Sequence, residues 1–360
     1  MMNAQCGLLF WCVVCFGCGH FVCFECGFVC WECSFVCMGG ILVFFAGGIF
    51  VCSGGVLLWG VFFLFVGVRF FLYLCGLIDN MAEKDLIFRS LASGSSGNCY
   101  YLGTLERGIL IDAGISARLI QKHLRSMGLD FCNIMGVLVT HDHADHIRAV
   151  GTLGERVNLP IYSTRLIHEG IDRNYGVREK LKTSRRYFEK GVEWTLGDLT
   201  INTFGVSHDS TECVGYVIDY EGQRFMIATD CGEPNADLEA YIRTANHIVI
   251  EANHDEHLLL NGPYPTYLKQ RILAPTGHQS NATCGELLAR NYHEGLRNIW
   301  LCHLSLENND PEVAYNTVAG KLQEIGVIPG QDVYLKALDR TSPSRVYRLG
   351  NGVLRDNDNA

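Results

Sequence analysis

The side chains best suited to chemistry are concentrated in Thr140-His141-Asp142-His143-Ala144-Asp145-His146, where three histidines and two aspartates fall within six residues. The stretch directly follows Ile134-Met135-Gly136-Val137-Leu138-Val139, an apolar run that predicts a buried strand. On extended backbone, residues two apart point the same way, so His141 and His143 address one point. Asp145 and His146 follow a turn of the chain and aim at a second point close by. Imidazole combined with carboxylate suits zinc, manganese or iron better than calcium or magnesium. A solvated polar loop is the bland alternative, and it does not account for three of the chain's 13 histidines meeting at one strand end.

The elements that must position this loop read as alternating strands and helices. Leu86–Leu91, Cys99–Leu102 and Gly108–Gly114 predict strands, the last carrying the carboxylate of Asp112. Between the first two, 92–98 reads as a tight Gly/Ser loop whose backbone N–H groups suit an anion as well as a plain turn. Ser116–Met127 predicts a helix capped by Ser116, and another begins near His146 and runs to about Val157. Pro160–Ser163 reads as a strand and 165–176 as a helix with its loop. Further strands are expected at Leu199–Phe204, Gly215–Tyr220, Arg224–Ala228, His247–Glu251 and Asn298–Cys302, with a hairpin turn at Glu221-Gly222-Gln223. Asn281–Tyr292 and a segment starting at Asp310-Pro311 predict helices, and Gln331–Lys336 a closing strand.

Composition divides the chain at Met81. Residues 1–80 hold 11 of the 17 cysteines, and their only charges are Glu25, Glu32, Arg69 and Asp79. The remainder carries about −7 of the chain's formal charge of −9. The Cys-x-x-Cys pairs of the first segment (Cys12/Cys15, Cys15/Cys18, Cys23/Cys26, Cys30/Cys33) imitate zinc knuckles, yet Phe, Val and Trp surround them, and the segment reads as low-complexity. From Ile41 to Ile78 the only charge is Arg69, long enough for a membrane-spanning helix. Two readings stand, a membrane anchor or translated upstream sequence with the true start at Met81, and the abrupt change of composition favours the second. The six later cysteines are dispersed, as buried thiols of a cytoplasmic enzyme usually are.

The 140–146 run resembles the HxHxDH signature of the metallo-β-lactamase superfamily over roughly residues 86 to 340. That resemblance implies an α+β fold for residues 81–360, a four-layer αββα sandwich with a one- or two-metal site at one edge of its sheets. It also implies the rest of the ligand set. His208, Asp230 and His303 each follow a predicted strand and match the family's later motifs. The implied assignment places His141, His143 and His208 on one divalent ion (zinc or manganese, with iron as a further option). Asp145, His146 and His303 are then on the other, with Asp230 as the bridge. Asp112 would support the metal loop by hydrogen bonds, and Asp142 would orient the nucleophile or a ligand. The nucleophile would be a metal-bridging hydroxide.

Several runs narrow the branch: 90–98, Asn253-His254-Asp255, Gly277-His278-Gln279-Ser280-Asn281 and 303–309 resemble the WalJ/YycJ-like family of bacterial metallohydrolases. Gln279 departs from the leucine expected there. The resemblance implies a phosphodiesterase acting on DNA as an exonuclease, with His278 as general acid. The alternative is a small-molecule hydrolase of cyclic phosphodiesters, lactones or thioesters. Candidate substrate contacts are Ser96, Asn98, Ser280 and Asn281, with Arg185 and Arg186 from the basic stretch 178–186 as a track for a phosphate backbone. No obligate protein partner is implied, and a membrane matters only if residues 1–80 anchor the chain.

Overall fold

The computed structural model describes residues 85–350 and 352–355, and six short strands within residues 20–57. The chain divides into two compact units, Met1–Ala82 and Glu83–Ala360. In the first unit the strands form three antiparallel ribbons: His20–Cys23 with Phe28–Trp31, Phe35–Met38 with Ile41–Phe44, and Phe50–Cys52 with Gly55–Leu57. The described part of the Ile41–Ile78 stretch is therefore strand, and its remainder, like Met81, lies outside the described residues. Among the described residues no helix is long and apolar enough to cross a membrane.

The second unit is built on two mixed seven-stranded sheets. The first sheet contains β1 (Leu86–Gly94), β2 (Gly97–Gly103), β3 (Gly108–Ile111), β4 (Ile134–Leu138), β5 (Ile161–Ser163), β6 (Arg185–Tyr187) and β14 (Tyr347–Leu349), in the order β6-β5-β4-β3-β2-β1-β14. The second contains β7 (Trp194–Leu196), β8 (Leu199–Gly205), β9 (Val214–Tyr220), β10 (Gln223–Ala228), β11 (His247–Glu251), β12 (Asn298–Cys302) and β13 (Tyr334–Ala337), in sequence order. Aromatic side chains fill the space between them, with Phe88 at 4.7 Å from Trp300 and 5.1 Å from Phe225 between ring centres. The first sheet is covered by α1 (Ala117–Arg125), α2 (Ala144–Ile147), α3 (Val150–Glu155) and α4 (Arg165–Arg173). The second is covered by α5 (Ala236–Ile242), α8 (Asn281–Arg290) and α9 (Pro311–Glu324), whose Leu238, Leu287 and Val318 pack on Ile248, Ile250 and Leu301. This is the αββα sandwich expected from the resemblance. Two short helices, α6 (Glu256–Asn261) and α7 (Thr266–Ile272), stand between β11 and α8.

Local chemistry accounts for most boundaries. Ser116 caps α1 by accepting from the Leu119 N–H, and Asp310 caps α9 with Pro311 at its first turn. Glu221 and Gly222 take φ of 45° and 78°, the paired positive values of a two-residue hairpin turn. Four expectations need correction. The 92–98 segment is not an anion-binding loop, because Ser93 pairs with Asn98 and Gly94 with Gly97 in the β1–β2 ladder, leaving only Ser95 and Ser96 as the turn. The helix from His146 to Val157 is broken at Arg148-Ala149, because the Ala149 N–H goes to the Ala113 carbonyl. The closing strand expected at Gln331–Lys336 runs instead over Tyr334–Ala337 and is not the last, since β14 returns to pair antiparallel with β1. Of the six dispersed cysteines five are buried free thiols, and Cys132 is exposed.

Candidate active site

Strand direction gathers the site. β8, β10, β11 and β12 run the same way, and so do β3 and β4, so their carboxyl ends meet at one edge of the sandwich. Asp112 follows β3, the 140–146 loop follows β4, His208 follows β8, Asp230 follows β10, Glu251 ends β11 and His303 follows β12. Asp112, Asp230 and His303 adopt φ of 58°, 53° and 54°. Such left-handed backbone is uncommon outside glycine, and three instances at strand ends mark a place where side-chain aim outweighs local strain. Gly114 is required here: a Cβ on it would overlap the Asp145 carbonyl oxygen.

The histidines are aimed by bonds at one ring nitrogen. His146 Nδ1 is 2.7 Å from Asp112 Oδ2, and the same carboxylate accepts from the Thr140 N–H and hydroxyl, both at 2.8 Å. His141 Nδ1 lies 3.0 Å from the Thr140 hydroxyl, and His208 Nδ1 lies 3.1 Å from the Gly277 carbonyl. His303 Nδ1 and His278 Nδ1 both lie 2.8 Å from Glu251 Oε1. The Nε2 atoms then converge. His146 Nε2 is 3.0 Å from Asp230 Oδ2, and His303 Nε2 is 3.4 Å from Asp145 Oδ2. The Nε2 atoms of His141 and His303 are buried without a hydrogen-bond partner. Orphaned buried nitrogens facing carboxylates, each with its other nitrogen held, form a donor set that fits a divalent cation. Ligand atoms come within 4.8 Å of one another in three sets relevant here: His141/His143/His208, Asp145/His146/His303 and His141/His146/Asp230.

Charge is consistent with this. Burial alone would raise the Asp230 carboxyl, but His303, His146 and His141 hold it well below the usual carboxylate range. Asp145 is likewise held low against its burial by His146 and His303. Burial opposes protonation of His303, yet Asp230, Asp145 and Glu251 push it up to about 10. His141, burdened by burial and by His146, is driven well below its ordinary value. Metal binding at such a centre displaces protons and so weakens as pH falls.

With this geometry in place, likeness to known proteins decides the family. The model of the beta-lactamase superfamily domain matches residues 107–289. Exodeoxyribonuclease YycJ of Bacillus anthracis is 34% identical over 262 residues, which cover 72% of this chain and 98% of that protein. Exodeoxyribonuclease WalJ of Streptococcus pneumoniae serotype 2 (strain D39 / NCTC 7466) is 34% identical over 265 residues, covering 73% and 98%. The chain belongs to the WalJ/YycJ-like family of the metallo-β-lactamase superfamily. Among solved structures, the metallo-β-lactamase fold protein YhfI from Bacillus subtilis matches with a TM-score of 0.52 at 16% identity, covering 72% of this chain and 99% of that one. This WalJ/YycJ-like chain is thus a metal-dependent hydrolase by family.

The structure brings together His141, His143, Asp145, His146, His208, Asp230, His278 and His303, with Asp112 behind them. Asn98 joins them, its side-chain amide 2.9 Å from His146 Nε2 and 3.4 Å from Asp145. Other candidates are not brought in. Asp142 points the opposite way from its histidine neighbours, as alternation on extended backbone requires, and its carboxylate accepts from the Thr211 N–H and hydroxyl beside Gly170. Asn281 is buried in a reciprocal amide pair with Asn309, so it is not free for substrate. Ser280 caps α8 and donates to Glu256, while Ser96 is at the exposed tip of the β1–β2 turn. Arg185 is tied to Asp172 and the Leu181 carbonyl, and Arg186 donates to the Thr183 and Arg185 carbonyls, so these guanidiniums brace their own loop.

Two groups escaped sequence reasoning. Glu251 is fully buried, and its second oxygen accepts from the Cys231 and Gln279 N–H groups at 2.6 and 3.1 Å. Its signal was a glutamate ending an otherwise apolar central strand, where an unpaired charge would be costly. Arg271, in the last turn of α7, pairs with Asp209, which lies 3.6 Å from His208 Nε2 and 3.9 Å from His143 Nε2. Nothing in the surrounding pattern distinguished that arginine.

Proposed function

We propose that the chain is a metal-dependent phosphodiesterase that degrades DNA from an end, as the names of its YycJ and WalJ relatives say of those proteins. His141, His143 and His208 would hold one divalent ion, Asp145, His146 and His303 a second, with Asp230 between them. The observation that carries this reading is the convergence of Nε2 atoms whose Nδ1 partners are already engaged. A pair of divalent ions supplies the Lewis acidity that activates water and stabilises charge at phosphorus.

The chain's own residues do the rest. Asp112 fixes the tautomer of His146, and Glu251 fixes those of His303 and His278. Burial works against a charged His278, but Glu251 and Asp230 raise its proton affinity above the ordinary imidazole value. It is therefore suited to hold a proton and pass it to a leaving oxygen. Arg271 adds a cation at the rim of the cluster, because its partner Asp209 adjoins His143 and His208.

The test uses metal-loaded protein with end-labelled single- and double-stranded DNA, RNA and a chromogenic phosphodiester. Stepwise release of nucleotides from DNA is expected. Hydrolysis of the chromogenic ester with every nucleic acid left intact would replace this reading with a small-molecule hydrolase.

A further inference from the structure

Beside the site, and sharing His278 with it, lies a cavity of about 340 Å³. That is within the range of about 300–1,000 Å³ typical of small-ligand pockets. Pro234, Leu273, Ala274 and Pro275 give it apolar walls, and His254 and Gln279 belong to its lining. These two side chains are 1% and 2% exposed, and both ring nitrogens of His254 and both amide atoms of Gln279 have no hydrogen-bond partner. Four orphaned polar atoms on adjoining residues are costly unless a ligand completes them. Their backbone is not loose, since the Asn253 N–H bonds the Gln279 carbonyl and the Asn281 N–H bonds the His254 carbonyl.

The chemistry of the lining selects the ligand. It contains no lysine or arginine but two carboxylates, Glu233 and Glu256, so a second phosphate is disfavoured. Burial holds His254 neutral, with its proton affinity lowered to about 4, so its ring offers one donor and one acceptor. Gln279 offers both as well. A planar heteroaromatic edge with mixed donors and acceptors, flanked by apolar walls, meets these requirements. We infer that this cavity receives the base of the terminal nucleotide while its phosphate is at the histidine cluster, an inference that rests on the phosphodiesterase reading above. The acidic lining, which admits a base and disfavours a further phosphate, would make the pocket a sensor of strand ends.

The experiment measures inhibition of chromogenic phosphodiester hydrolysis by metal-loaded full-length protein, using deoxyadenosine monophosphate and the base-free deoxyribose phosphate as probes. Wild type should bind the nucleotide about tenfold more tightly than the base-free analogue. Gln279→Leu and His254→Phe should each remove that preference while leaving inhibition by deoxyribose phosphate unchanged. Neither side chain has an internal bond to lose, so the melting temperature of the variants should hold or rise. Equal inhibition by both probes in wild type would overturn the pocket, and so would a preference that survives in both variants. A parallel arm with end-labelled DNA separates the two readings. Degradation without base preference leaves the nuclease and removes the pocket. Base preference with intact DNA leaves the pocket and removes the nuclease.

Discussion

The two ends of β11 both bury an ionisable group, and they do so in opposite ways. At the start of the strand, His247 is fully buried with both nitrogens engaged, Nε2 at 3.0 Å from the Gln223 side-chain oxygen and Nδ1 at 2.8 Å from the Asn298 amide. At the other end, Glu251 is equally buried but faces rings whose remaining nitrogens point into a cluster. The first end is a closed hydrogen-bond set that stabilises the sheet. The second is an open set, engaged on one side and held ready on the other. Burial alone does not separate structure from function; the location of the unsatisfied atoms does.

The largest effect expected at the open end comes from Asp230→Ala. This carboxylate faces His146 at 3.0 Å and His303 at 3.2 Å, so its loss removes a donor from both proposed ion sites. Activity should fall by about a thousandfold or more, roughly 4 kcal/mol of transition-state stabilisation. Elemental analysis should show fewer ions per chain than in wild type. Retained activity with unchanged metal content would show that this end is closed as well.

Glu251→Gln keeps the shape and changes the charge. A residue acting through metal-bound histidines typically costs about 10- to 100-fold when altered. The loss should fall on kcat with KM little changed, because Glu251 orients His278 and His303 and does not reach substrate. A variant that instead unfolds with normal specific activity would move Glu251 to the same class as His247.

At the closed end the reverse outcome is expected. His247→Leu should leave kcat intact and destabilise the fold by about 1–3 kcal/mol, the cost of stranding buried partners. The acid limb sharpens the contrast. Burial and then Arg297 push His247 down to about 3 from its ordinary 6.5. The unfolded chain therefore takes up a proton that the folded chain refuses. This stability is complete above pH 6.5 and is lost as pH falls toward about 3, at up to about 1.4 kcal/mol per unit. Denaturant titrations at several pH values should show this slope flattened in His247→Leu.

Sequence exposed one side of this contrast better than the other. Strand ends were legible because the apolar runs before Thr140, Asp230 and His303 stop abruptly at polar residues, and the family motifs supplied the pairing. Glu251 was visible as a residue yet had no role, because its partners are 27 and 52 residues away; the parallel pairing of β11 with β12 brings His303 to it, and backbone bonds between 253–254 and 279–281 bring His278. The short helices α5, α6 and α7 were missed because at six or seven residues they show too few turns for periodicity to register. The break after α2 was hidden for a related reason: the Ala113 carbonyl that takes the Ala149 N–H is remote in sequence.

The smallest effect expected belongs to the basic stretch, where charge count was legible and pairing was not. Glu155 accepts from the Lys182, Thr183 and Ser184 N–H groups and from the Ser184 hydroxyl, and those bonds hold its carboxyl down at about 2. Arg185 is spent on Asp172. The loop is therefore a self-contained knot, closer in kind to His247 than to Glu251, and only the exposed Arg186 among the two named arginines can turn outward. Arg186→Glu should accordingly remove at most one phosphate contact, lowering the log–log salt slope of DNA binding by about 0.7 to 0.9. Hydrolysis of a short chromogenic phosphodiester should not change, since such a substrate needs only the histidine cluster. Arg271→Ala provides the counterpart, because its partner Asp209 adjoins His143 and His208, and it should weaken both substrates. If Arg186→Glu flattened the slope by several units while Arg271→Ala changed neither substrate, the DNA path would run along the basic loop, and the knot would count as part of the open site.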